Sequence, residues 1–176
     1  VRAPRGRLAR LFGFLLVVAM GHSAHAGELL LSSAPKLVPS VTFTDQDGRP
    51  LGLEAFKGKV VVLDYWATWC APCRAEFPQL DKLQGRLADK GLVVVAVSLD
   101  RKGKPVVDRF YEDLRISHLG KYLDPSSHSA TALGIRGLPT TLLIDRQGRE
   151  VVRVEGEAAW DGPEIGKILE GLLAGG

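Results

Sequence analysis

Two nearly uninterrupted apolar runs dominate the middle of the chain. Val60–Trp66 is broken only by Asp64, and Leu92–Ser98 is apolar up to its terminal serine. Each follows closely on a glycine and is rich in β-branched residues, which predicts strands buried on both faces at the centre of a sheet. Between them Phe77, Leu80, Leu83 and Leu87 recur at helical spacing. They predict a helix that starts near Cys70, is kinked at Pro78 and stops by Gly91. Val106, Phe110 and Leu114 predict a second helix over Pro105–Leu114, and Ser127–Leu133 reads as a short third. Tyr122–Leu123 reads as a short strand. Thr140–Asp145 and Glu150–Val154 form a hairpin across Gln147-Gly148. Ile165, Ile168, Leu169, Leu172 and Leu173 line one face of a C-terminal helix after Pro163. Ahead of these, Val41–Thr44 is strand-like, Asp47-Gly48 is a turn, and Leu51–Phe56 is a short turn or helical piece. Strands alternating with helices predict an α/β domain with a parallel core sheet flanked by helices, made mixed by its closing hairpin.

The first 26 residues follow a different pattern. Arg2, Arg5, Arg7 and Arg10 precede an apolar stretch from Leu11 to Met20, and Ala24-His25-Ala26 supplies small residues for cleavage. This is the layout of a secretory signal peptide over 1–26. The apolar stretch is short of the ~20 residues that span a bilayer as a helix. The competing readings are an uncleaved N-terminal tether and a buried core helix. Residues 27–40 read as a short lead-in to a domain over 41–176. The leader also accounts for the formal charge of +3. Four of the 23 basic residues precede residue 27 and no acid precedes Glu28, leaving 19 basic and 20 acidic side chains. No nucleic-acid function is read from the charge. At 45% hydrophobic and 24% charged, the composition is that of a globular domain rather than a disordered or multi-span chain.

Both cysteines lie in Trp69-Cys70-Ala71-Pro72-Cys73, directly after the first buried run and at the predicted start of a helix. A helix N-terminus carries unpaired N–H groups and about half a positive charge, which stabilises a thiolate. Pro72 suits a first turn, where no intrahelical donor is required. The pattern points to a redox-active disulfide, with Cys70 as nucleophile and Cys73 as resolving thiol. An inert staple is the weaker reading, since so short a loop removes little entropy from the unfolded chain. No metal site is expected. Only His118 and His128 accompany the cysteines after residue 26, at no ligand spacing, and Arg74 stands where a haem-attachment motif needs histidine.

The segment from Val62 to Pro78 resembles the active-site segment of the thioredoxin superfamily. It is most similar to its secreted or membrane-tethered TlpA/ResA-like thiol–disulfide oxidoreductases. Gly134-Ile-Arg-Gly-Leu-Pro-Thr-Thr141 is similar to the family's second signature, and the likeness runs from about Val41 to the C-terminus. The resemblance implies a thioredoxin-like fold with an inserted βα segment within Arg101–Leu133. It implies that Pro139 is a cis-proline facing the disulfide and that Leu138 offers backbone hydrogen bonds to an extended client. Trp69 would be an apolar shoulder beside Cys70, and Glu76 an acid beneath the site that tunes the cysteines. Without the resemblance, Pro139 reads as a trans proline opening a strand, Trp69 as core, and Glu76 as a solvated helix charge. Asp64 is a carboxylate inside an apolar run. Burial should raise its pKa, letting it take and return the Cys73 proton. Its competing reading is a hydrated aspartate at a strand edge. Small thioredoxins carry aspartate here, whereas TlpA-like members more often have asparagine.

The expected activity is thiol–disulfide exchange with secreted protein clients that carry cysteine pairs, without a cofactor beyond the Cys70–Cys73 disulfide. The resemblance implies a periplasmic reductant in cytochrome c or copper-site assembly, recharged by a membrane electron donor, with a monomer favoured. A disulfide-inserting oxidant is the alternative, because the motif alone does not set direction. A thiol peroxidase is less favoured, since Ala67 stands where such enzymes place threonine. A copper-binding module that uses the two thiols is the fourth reading.

Overall fold

The computed structural model describes residues 28–175. The secretory leader read at 1–26 lies outside the described residues. Eight strands form one sheet: β1 (Glu28–Leu37), β2 (Thr42–Asp45), β3 (Pro50–Gly52), β4 (Val60–Trp66), β5 (Leu92–Ser98), β6 (Tyr122–Leu123), β7 (Thr140–Ile144) and β8 (Arg149–Glu155). Their spatial order is β1-β8-β7-β4-β5-β6-β2-β3. The two apolar runs are the centre: β4 pairs parallel with β5 and antiparallel with β7. Every residue of β4 is buried, Asp64 included.

Among the described residues four α-helices accompany the sheet: α1 (Ala71–Leu87), α2 (Lys104–Leu114), α3 (His128–Ala132) and α4 (Pro163–Ala174). Alternation along β4 sorts the core into two layers. Val60, Val62 and Trp66 face α1, α2 and α4, packing with Phe77, Leu80, Phe110, Tyr111 and Ile165. Val61, Leu63 and Tyr65 face the other way, with Phe43, Ala130 and Leu133. Helices therefore lie on both faces, but the three long ones share one. Trp66 is the hub of that layer, with ring centroids 4.2 Å from Phe77 and 4.7 Å from Phe110. Helix α1 continues through Pro78.

Three elements depart from the sequence reading. Residues 50–52, whose last two fall in the turn or helical piece read at Leu51–Phe56, form strand β3 against β2. Residues 28–37 form an edge strand on β8 rather than a lead-in, so the sheet begins ahead of residue 41. The register shifts between Leu31 and Lys36, around Ser32-Ser33-Ala34-Pro35. Those residues disrupt the alternation that marks a strand, and a proline is accommodated at an edge or bulge because no ladder donor is needed there. The inserted segment is more than a βα unit. It contributes α2, β6 and α3, and β6 joins β5 on one side to β2 on the other. The β2–β3 hairpin thereby becomes the far edge of the same sheet.

Candidate active site

Sheet register explains the position of the site. Trp66 and Ser98 end the parallel strands β4 and β5 side by side. Strand β7 runs back along β4, with Thr140 beside Tyr65 and Thr141 beside Asp64. The residues just before β7 therefore emerge at the same edge as those just after β4. This is the carboxyl edge of the parallel strands, where open α/β sheets place their sites.

Cys70 is the N-cap of α1, with extended backbone (φ −81°, ψ 108°), and its carbonyl accepts the first intrahelical bond, from Arg74 N at 3.1 Å. Cys70 Sγ also accepts from Cys73 N at 3.3 Å. The two cysteines form a disulfide. Cys70 retains 5% exposure and Cys73 none, so the outer sulfur is the one a partner can approach. The loop that delivers Cys70 is fastened to the end of β5. Thr68 donates through its N–H (2.8 Å) and its Oγ1 (2.7 Å) to the two carboxylate oxygens of Asp100. Ser98 Oγ donates to the same carboxylate at 2.9 Å. Arg74 donates to the Thr68 carbonyl at 3.2 Å.

Trp69 projects outward, 71% exposed. The Leu138–Pro139 peptide is cis, and Pro139 is buried while Leu138 is partly exposed. Continuing the β4–β7 register by two residues brings Leu138 opposite Ala67. The backbone of Leu138 makes no hydrogen bond among the described residues.

Two acids, Asp64 on β4 and Glu76 on α1, have no exposed surface. Asp64 points to the α1 side of the sheet and accepts from Thr141 Oγ1 at 2.9 Å. Glu76, one helical turn after Cys73, accepts at Oε2 from Ala158 N and Trp160 Nε1, both 3.1 Å. The second oxygen of each carboxyl has no partner among the described residues. Burial pushes Asp64 up to about 7, with the Thr141 hydrogen bond opposing. Burial also pushes Glu76 up, to about 9, reinforced by repulsion from Asp64. The physical cause is the same for both: a charged carboxyl loses its hydration inside the sheet–helix layer. The arrangement offers an electrophilic disulfide at the surface, an apolar flank, an unpaired backbone edge and two groups able to hold a proton at neutral pH. Among the described residues, no cluster of three or more His, Cys, Asp or Glu could hold a metal ion.

A protein-family profile for redoxins matches residues 33–169. The chain belongs to the redoxin family. Within it this redoxin is a TlpA/ResA-like member of the thioredoxin superfamily. It is 32% identical over 156 residues to the thiol-disulfide oxidoreductase ResA of Bacillus subtilis (strain 168), covering 84% of this chain and 86% of that one. Its structure is similar to that of a thiol:disulfide interchange protein, DsbE, from Chlorobium tepidum. The TM-score is 0.72 at 30% identity, over 82% of this chain and 99% of that one. It is also similar to an exposed lipoprotein thioredoxin of Streptococcus pneumoniae strain TIGR4, with a TM-score of 0.64 at 29% identity, over 76% of this chain and 100% of that one. The redoxin is thus a thiol–disulfide oxidoreductase.

The structure places Cys70, Cys73, Trp69, Leu138 and Pro139 at one edge of the sheet, and buries Asp64 and Glu76 within the adjoining sheet–helix layer. Neither acid is a surface charge, and Trp69 is not core. Sequence reasoning missed four supports of this redoxin's site. Asp100 holds the Thr68 loop, Thr141 binds Asp64, and Ala158 and Trp160 bind Glu76. Asp100 could have been flagged as an acid directly after a buried strand. Trp160 carried no signal, because it lies in an irregular connection and only the fold brings it to α1.

Proposed function

We propose that this redoxin reduces disulfides in client proteins outside the cytoplasm, as a periplasmic reductant serving cytochrome c or copper-site assembly. The burial of Cys73 and Asp64 carries the reading. A strong oxidant owes its potential to a stabilised reduced form. Burial of Cys73 and the ionisable Asp64 carboxyl do the opposite. They make a second negative charge at the sulfurs costly, which disfavours the thiolate and raises the reducing tendency of the pair.

In the proposed cycle the Cys70 thiolate attacks a client disulfide. The client S–S bond breaks, and one client cysteine leaves as a thiolate that takes up a proton. Cys73 then gives its proton to the Asp64 carboxylate and attacks Cys70 Sγ. The mixed disulfide breaks, and the second client cysteine leaves. Two electrons have passed to the client, and the Cys70–Cys73 disulfide remains. Trp69 and the Leu138 backbone hold the client segment during exchange. No cofactor beyond the disulfide enters. A membrane dithiol donor restores the reduced state, and the protein works as a monomer. The leader-like residues 1–26 support export, either with cleavage or as a tether.

Equilibration of the purified protein with defined thiol buffers tests direction. A reduction potential near about −270 mV or lower is expected. A value near about −120 mV would make the protein an oxidant and overturn the reading.

A further inference from the structure

A cleft of about 760 Å³ is lined by Trp69, the residue before Cys70, and by Leu138, the residue before the cis-proline. Its rim is cationic. Arg101 and Lys102 come from the turn after β5, and Arg136 from the loop before the cis-proline. All three are exposed. None makes an ion pair or hydrogen bond among the described residues. Neighbouring cations differ. Lys104 and Lys121 both pair with Asp108, and Arg153 pairs with Glu150. The acid that lines the cleft, Asp100, is 4% exposed. Its oxygens are occupied by Thr68 and Ser98. The cleft therefore presents positive charge with no accessible countercharge. Overall charge does not explain this, because residues 27–176 carry 19 basic and 20 acidic side chains.

We propose that this cleft selects client segments bearing acidic side chains beside the reactive cysteine, with Arg101, Lys102 and Arg136 as the specificity-determining residues. The inference rests on the client-reduction reading above and names the class of client. The two parts of the cleft divide the work. The unpaired Leu138 backbone can take an extended segment by main-chain pairing, which sets its depth but carries little sequence information. The cations read the flanking side chains. Cations converging on a low-dielectric cleft raise the local concentration and on-rate of an anionic partner by about 10- to 1,000-fold, and salt abolishes the gain.

The test uses three disulfide-bonded peptides that differ only in the residues flanking the cysteines: Glu, Gln or Lys. The pre-reduced full chain is mixed with each in single-turnover exchange, at low salt and at high salt. At low salt the Glu peptide should react at least about tenfold faster than the Gln peptide, through tighter capture rather than a faster limiting step, and the Lys peptide slowest. High salt should close the gap. The variant R101Q/K102Q/R136Q should bring the Glu-to-Gln ratio close to one. The variant K82Q/R86Q/K90Q removes the same charge on and just after the far half of α1, and should leave the ratio unchanged. Each peptide's own thiol reactivity cancels when this ratio is compared between proteins. Equal rates for Glu and Gln peptides in the wild type would overturn the proposal while leaving client reduction standing. Equal loss of the ratio in both variants would also overturn it, assigning the effect to net charge. Failure to exchange with any peptide would overturn both readings.

Discussion

Asp64 is held at one carboxylate oxygen by the Thr141 hydroxyl, and its other oxygen has no partner among the described residues. A carboxylate between Leu63 and Tyr65 announces itself, but only β7 supplies the Thr141 hydroxyl that holds it. With its pKa pushed up to about 7, Asp64 becomes ionised, and able to accept a proton, over the physiological range. Asp64→Asn should slow resolution of the mixed disulfide at least about tenfold at pH 8. It should also remove the rise in that rate on passing pH 7. The check is release of the leaving thiol from a mixed disulfide preformed on Cys70; unchanged rates from pH 5 to 9 would exclude the role. Stability follows from the same shifts. Both acids bind a proton more tightly in the folded protein than in the unfolded chain, where carboxyls titrate near about 4. Their contribution is therefore complete below that value. It is lost as pH rises through the folded values of about 7 and 9. The urea midpoint of the oxidised protein should fall from pH 5 to pH 9. Glu76→Gln should flatten the upper part of that fall, since an amide oxygen still accepts from Ala158 and Trp160 but cannot ionise. An unchanged slope in this variant would remove Glu76 from the explanation.

At the scale of elements, the connection from β4 to α1 is held less by the helix than by the end of β5. Asp100 receives both donors of Thr68 and the hydroxyl of Ser98. Asp100→Ala would strand these donors beside the core and should cost at least about 2 kcal/mol in urea unfolding. It should also slow the first attack on Cys70, because the loop that aims Trp69 and Cys70 loses its anchor. Full stability in this variant would show that the loop holds itself. Helices α1 and α2 and strands β4 and β5 follow from apolar periodicity because each buries a continuous stripe or face. Strand β1 does not, because an edge strand needs only an extended backbone opposite a partner, and pairing leaves little trace in side-chain pattern.

For the molecule as a whole, the disulfide is a reagent rather than a brace. It links residues 3 apart in sequence, so it removes only about 2 kcal/mol of loop entropy from the unfolded chain. The C70S/C73S variant should fold cooperatively, with a melting temperature lower by roughly 4–8 °C. Loss of folding would mean that the two core layers cannot hold the sheet without it. Those layers are built on Trp66, Phe77 and Phe110 on one side and on Phe43, Leu63 and Tyr65 on the other. Neither includes a covalent link other than Cys70–Cys73.

The sequence alone determined the central strands, the main helices, the dithiol and its place at a helix start. These are consequences of local spacing: period two, period 3.6, and two cysteines one turn apart. It also marked Asp64 as an acid inside an apolar run, whereas Glu76 stood out only through the family resemblance. Tertiary structure alone decided that both are buried in one layer, with Thr141, Ala158 and Trp160 as partners. It alone placed Leu138 and Arg136 across a cleft from Trp69 and Arg101. Those relations depend on strand order and register, which bring together residues 30 to 80 or more positions apart. No local pattern encodes which distant donor a buried carboxyl will meet, because that is settled by packing the whole sheet at once.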